Sequence, residues 1–158
     1  MREWVVGFLV LGLHAVAAGE EPAGPRVIFS AEAAAEADIP LPMRRGWKPF
    51  WSPTAQHVAN LESKLASYLE QTQPKIARDL GDYGIQFFGI TLPGGERDRP
   101  PKKAIAFNAF CKYAWSDLEE EWWRESYGFA LGGGTCYFAG TFDHESGQIM
   151  SFHVNEPK

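Results

Sequence analysis

Phe129 to Val154 reads FALGGGTCYFAGTFDHESGQIMSFHV, the clearest hairpin in the chain and the stretch on which the fold turns. Side chains alternate from Cys136 onward. Cys136, Phe138, Gly140 and Phe142 fall on one face, and Tyr137, Ala139 and Thr141 on the other. Asp143-His144-Glu145-Ser146-Gly147 supplies turn residues. Met150, Phe152 and Val154 then alternate with Ile149, Ser151 and His153. Gly132-Gly133-Gly134 stands before a strand, whereas a phosphate loop stands before a helix whose N-terminus holds the anion. The triplet therefore reads as a tight approach to the strand.

Upstream, Gly84 to Leu92 (GIQFFGITL) is rich in strand formers, and its alternation slips at Phe88-Gly89, which predicts a bulge. Pro93 opens a charged turn running to Pro101. A second strand is expected over Lys102–Trp115, with Ile105, Phe107, Ala109, Cys111 and Tyr113 on one face. Residues 116–131 interrupt the strands, and Ser116 to Glu121 reads as the start of a short helix. Before the strands, Ser52-Pro53 reads as N-cap and first helical residue. Val58, Leu61, Leu65, Tyr68 and Leu69 then recur at helical spacing until Pro74 ends the helix. The fold class expected is α+β: one long helix packed on an about four-stranded antiparallel sheet, whose other face is partly solvated.

Residues 1–18 read as a secretory signal peptide. Arg2 precedes an apolar core, Trp4 to Leu13, far shorter than the roughly 20 residues of a membrane span, and small residues follow at Ala15 to Ala18. Residues 19–46, with Pro22, Pro25, Pro40 and Pro42 around an Ala/Glu run capped by Ser30, read as a flexible leader with little packing of its own. Residues 47–158 then form a single α+β domain. Export, to a periplasmic or extracellular location, makes Cys111 and Cys136 a disulfide. That bridge closes a loop of roughly 25 residues, worth about 3 kcal/mol in the chain-entropy account.

The formal net charge of −5 argues against nucleic acid and against anionic membrane surfaces as partners. Nothing in the sequence asks for a cofactor or a metal. Two cysteines are too few for a metal site by themselves, and no Gly-x-Ser-x-Gly nucleophile elbow is present.

Trp51-Ser52-Pro53 before an amphipathic helix, Asp82-Tyr83-Gly84 before a strand, Phe107-Asn108-Ala109-Phe110-Cys111, and Gly132-Gly133-Gly134 leading to Tyr137-Phe138 and Val154-Asn155 together resemble a family of small exported bacterial proteins. The resemblance covers roughly residues 47–156 and departs from the pattern at Glu156, where Gly is expected. The family has no assigned activity, so it implies export and no functional residues. The order of one helix and then four strands is also similar to cystatin-like folds, by analogy of architecture alone. The Gln-x-Val-x-Gly loop of inhibitory cystatins is absent, so the analogy implies no protease inhibition.

Two sets of residues carry a functional expectation. Trp115, at the end of the expected second strand, and Trp122, Trp123 and Tyr127, in the interruption that follows, lie at the ends of regular elements, near Glu119 to Glu121. Aromatics placed there, together with the Gly-rich edge, predict a contact surface for a protein or a polysaccharide of the cell envelope. In the rival reading, His57, His144 or His153 works with Asp143 or Glu145 in the acid–base chemistry of a small hydrolase. The first reading predicts a non-catalytic exported binding domain. The second needs two of these histidines to converge.

Overall fold

The structure is a computed structural model, and it describes residues 24–37, 50–92, 100–116, 120–128 and 130–157. The expected signal peptide, residues 38–46 of the expected leader, and Trp47 lie outside the described residues. Elements in chain order are β1 (Arg26–Ile28), α1 (Ala31–Glu36), α2 (Ala55–Thr72), α3 (Pro74–Arg78), β2 (Gly84–Leu92), β3 (Lys102–Phe110), α4 (Lys112–Ser116), α5 (Glu120–Glu125), β4 (Tyr137–Asp143) and β5 (Gln148–Val154).

The protein is α+β, as expected, but its sheet is mixed and has five strands in the order β1-β2-β3-β4-β5. The four strands read from the sequence form an antiparallel meander. The fifth, β1, comes from the stretch taken as a leader and pairs parallel to β2, with Arg26 opposite Ile85 and Ile28 opposite Phe87. Side-chain bonds anchor it. Arg26 Nε donates to Glu62 Oε1 of α2 at 2.6 Å, and Arg26 Nη1 donates to the Tyr83 carbonyl at 2.5 Å. The helical layer is also more than one long helix, since four short helices accompany the 18 residues of α2 among the described residues.

α2 forms because Val58, Leu61, Leu65 and Leu69 make one apolar stripe, all four buried. They pack on Ile85, Phe87, Ile105, Phe107, Ala109, Phe138 and Phe142, which are the positions of β2, β3 and β4 that share one face. The cap is Thr54, two residues later than the sequence suggested. Its hydroxyl accepts from His57 N and the His57 ring accepts from Thr54 N, so the pair closes a capping box. Ser52 instead accepts from Ala31 N, which ties α1 to the start of α2.

The opposite face is covered where it was expected to be partly solvated. Phe29, Ala34 and Ala37 from the β1–α1 segment pack with Phe88, Ile90, Ala104, Ala106 and Tyr127 in a second core. Beside it, Gln86 and Asn108 face each other across β2 and β3 and pin the α5 segment to the sheet. Gln86 Nε2 donates to the carbonyls of Trp123 (2.6 Å) and Ser126 (2.9 Å), and Asn108 Nδ2 donates to the carbonyl of Gly128 (2.6 Å). Gly128 N donates in return to Gln86 Oε1 at 3.1 Å, so the buried amides are satisfied.

Two strand details differ from the sequence reading. β2 and β3 stay in register from Gly84–Phe110 to Leu92–Lys102, with no bulge at Gly89. Gly89 is needed for another reason: Trp51 bridges to it, and a Cβ there would strike the Trp51 carbonyl and ring. The irregularity falls instead between Thr141 and Phe142, opposite Met150. β3 also stops at Phe110. Cys111 N turns to donate to Cys136 O at 2.8 Å, and Lys112–Ser116 is helical.

Candidate functional site

The two ends of the sheet carry the candidate residues. One end holds the cysteines. Cys111, after β3, is bonded to Cys136, before β4, with their Cα atoms 4.7 Å apart. Between them run α4 and α5, the region expected to present aromatic side chains. The structure divides that set. Trp123 is 1% exposed, edge-on to Phe110 with ring centroids 6.2 Å apart. Tyr127 is 6% exposed, edge-on to Phe88 at 5.8 Å. Burial raises the Tyr127 hydroxyl pKa well above its ordinary value. Both are core residues and present no surface, because the second face of the sheet needs them as cover. Trp122 is 44% exposed. Trp115 lies in α4, and its side chain is outside the described residues.

Two exposed side chains that the sequence reading did not single out join Trp122 at this end. Tyr113 is 85% exposed and Leu131 is 74% exposed. The same end holds a cleft of about 560 Å³ lined by Gly133, Gly134, Thr135, Val154, Asn155 and Pro157. Gly132, Gly133 and Gly134 have φ of 82°, 90° and 55°, a left-handed path that side chains resist, so the triplet shapes a cleft wall before β4. Asn155 holds that wall, with Nδ2 donating to the carbonyls of Ala130 (2.8 Å) and Gly132 (3.1 Å). The Tyr83 hydroxyl braces it from below by donating to Thr135 O at 2.6 Å. Exposed Leu131 was visible in the sequence, but no pattern there separates an exposed leucine from a buried one.

The opposite end brings two of the three predicted histidines together. His57, on the first turn of α2, and His144, in the β4–β5 turn, have ring centroids 5.2 Å apart. Trp51 completes the group, 5.4 Å from His57 and 5.2 Å from His144. Its indole Nε1 donates to the carbonyls of Ile90 (3.0 Å) and Ala104 (3.2 Å), and Lys103 Nζ lies 5.4 Å from its ring centre. His153 does not join them. On β5 it stands opposite Ala139 of β4, on the sheet face turned away from α2.

The carboxylates are placed differently again. Glu145 is exposed, and Asp143 is 1% exposed. Burial raises the Asp143 pKa. Hydrogen bonds from Lys102 Nζ (2.5 Å), from Ser146 and from the backbone of Glu145 and Ser146 outweigh it and bring the group down to about 2. Asp143 is therefore an ionised organiser of its turn, spent on Lys102 and Ser146 rather than on an imidazole.

The histidine nitrogens decide what the pair can do. His57 Nδ1 accepts from Thr54 N at 3.2 Å, which places the ring proton of the neutral form on Nε2. A metal at that Nε2 would need the proton moved to Nδ1, where it would face the Thr54 N–H. Nε2 of His144 is buried and has no hydrogen-bond partner, so it offers no accessible lone pair to a substrate. Among the described residues, no group of three or more His, Cys, Asp or Glu side chains is placed to hold a metal ion. Among the same residues, no helix is long and apolar enough to cross a membrane. Comparison of the chain with protein-family models, with curated proteins and with solved structures gives no match.

Proposed function

We propose that the protein is a non-catalytic binding module of the exported space, and that its contact surface is the disulfide end of the sheet. The observation that carries this reading is the exposure of three large side chains, Tyr113, Trp122 and Leu131, in the segment that the Cys111–Cys136 bridge closes. Exposed large apolar and aromatic side chains are the usual make-up of a contact patch. The Gln86–Asn108 network and the Cys111–Cys136 bridge hold the patch on a rigid base, which lowers the ordering cost of binding. The bridge and the apolar N-terminal stretch support export, because disulfides form and persist in oxidising compartments. The ligand class is a protein or a polysaccharide of the cell envelope.

The test measures retention of the purified chain on two separate supports, isolated envelope polysaccharide and detergent-extracted envelope protein. Trp122→Ala with Leu131→Ser is expected to weaken retention about tenfold or more on one of them. His57→Gln, at the far end of the sheet, is expected to leave it unchanged. Equal retention of the double variant and the natural chain on both supports would remove this surface from consideration.

A further inference from the structure

The histidine end carries chemistry that a contact surface at the other end does not use. The contacts of both imidazoles set a cost on an added ring proton. His57 Nδ1 must keep its lone pair to accept from Thr54 N, so a proton there sets N–H against N–H and opens the capping box. The same proton places a cation on the first turn of α2, at the positive end of the helix dipole. His144 has a separate reason: its Nε2 is buried without a partner, so no acceptor there stabilises the charge of a protonated ring. Two charged rings 5.2 Å apart would also repel.

Among the described residues, the neighbouring charges do not relieve this. From β3 come Lys102 and Lys103, the second over the Trp51 ring. From the turn come Asp143, already paired with Lys102, and Glu145, which is exposed. From α2, Lys64 reaches the turn at Gly147. Residues 50–54 and β2 contribute no charged side chain. Among the described residues, three lysines stand against two carboxylates at this corner before either histidine takes up a proton.

The group also joins elements that are distant in the chain. Trp51 is bridged to Gly89, where it continues the sheet edge beyond β1, and its indole reaches across to Ala104. His57 caps the first turn of α2 and His144 lies in the β4–β5 turn, so contact among the three rings joins residues 50–57 to the hairpin.

We propose that Trp51, His57 and His144 form an acid-released latch, which fastens residues 50–54 and the first turn of α2 to the β4–β5 turn while both imidazoles are neutral and lets them go when the rings take up protons. Histidine is the side chain whose charge ordinarily changes between about pH 5 and 8, the range an exported protein meets when its surroundings acidify. Opening frees the edge of β2 from Gly89 onward. The turn survives the change, since Asp143 stays ionised to about pH 2.

The experiment follows solvent exchange of the Trp51 indole N–H by NMR in the full chain from pH 7.5 to 5.0, as protection relative to the intrinsic rate. Protection of Trp51 is expected to fall about tenfold, the size of one capping interaction, while buried Trp123 keeps its protection. His57→Gln keeps an acceptor at the third helical position without a titrating ring, and is expected to abolish most of the fall. His57→Glu serves the same purpose should the glutamine variant fold poorly. The latch is refuted by constant Trp51 protection across the range, by an equal fall at Trp123, or by a glutamine or glutamate variant that follows the natural curve.

Discussion

A carboxylate shut away from water at the end of a strand is ordinarily a liability, and Asp143 shows how the chain turns it into a fastening. Its oxygens take the Lys102 ammonium, the Ser146 hydroxyl and the Glu145 N–H, and its carbonyl accepts from Gly147 N at 2.8 Å. The folded pKa of about 2 lies below the ordinary value of 3.8, so the folded state binds this proton less readily than the unfolded chain. The resulting stabilisation is fully present above about pH 4 and is lost as the pH falls toward 2. It amounts to about 1–2 kcal/mol, with the share from half-exposed Lys102 discounted for solvent screening. Asp143→Asn is expected to cost that much at pH 7 in urea unfolding, and to flatten the acid limb below pH 4. Parallel acid limbs for variant and natural chain would show that the contacts contribute little. The turn itself was legible as Asp-His-Glu-Ser-Gly. The burial of its first residue was not, because Lys102 stands 41 positions away in sequence and nothing local marks the pair.

At the scale of elements, the segment from Cys111 to Cys136 is stapled twice, once by the bridge and once by the amides of Gln86 and Asn108. Reduction, or Cys111→Ser with Cys136→Ser, is expected to cost about 3 kcal/mol in denaturant unfolding while the native circular dichroism persists. An unmoved midpoint on reduction would mean that the amides alone already restrain the loop. The four strands of the meander were readable because each carries its signal within nine residues or fewer: runs of Phe and Ile in β2 and β3, and alternation in β4 and β5, although the irregularity at Met150 puts Ile149, and not Met150, on the core side with Phe152 and Val154. The end of β3 was misplaced for a physical reason. Cys111 and Tyr113 continue the alternation on paper, but the bond from Cys111 N to Cys136 O turns the backbone away. β1 is only three residues long, and its partner β2 lies far down the chain, so no local period marks it. The aromatic site was half legible for a similar reason. Adjacent Trp122 and Trp123 on a helix cannot both be buried, yet the sequence does not say which one faces the sheet.

For the whole molecule, β2 decides how many layers there are. Seven of its nine residues are buried, because the strand is apolar on both faces. An antiparallel strand with one wet face alternates, whereas one without alternation needs cover on both sides. Gly84 to Leu92 therefore held a signal for a second layer, and Phe29, Ala34, Ala37 and Tyr127 answer it. Two consequences separate this architecture from a domain that starts at residue 47. Phe29 is 3% exposed, so Phe29→Ala is expected to cost about 3–4 kcal/mol by thermal or urea unfolding. A chain without residues 19–37 uncovers Phe88, Ile90, Ala104 and Tyr127 together, and it also loses the Arg26–Glu62 contact between β1 and α2. Against a total stability on the order of 5–15 kcal/mol, that loss is expected to leave a chain that binds hydrophobic dye and melts without a sharp transition. If the shortened chain melts as sharply and as high as the full one, β1 and α1 lie outside the cooperative unit and the leader reading of residues 19–46 stands.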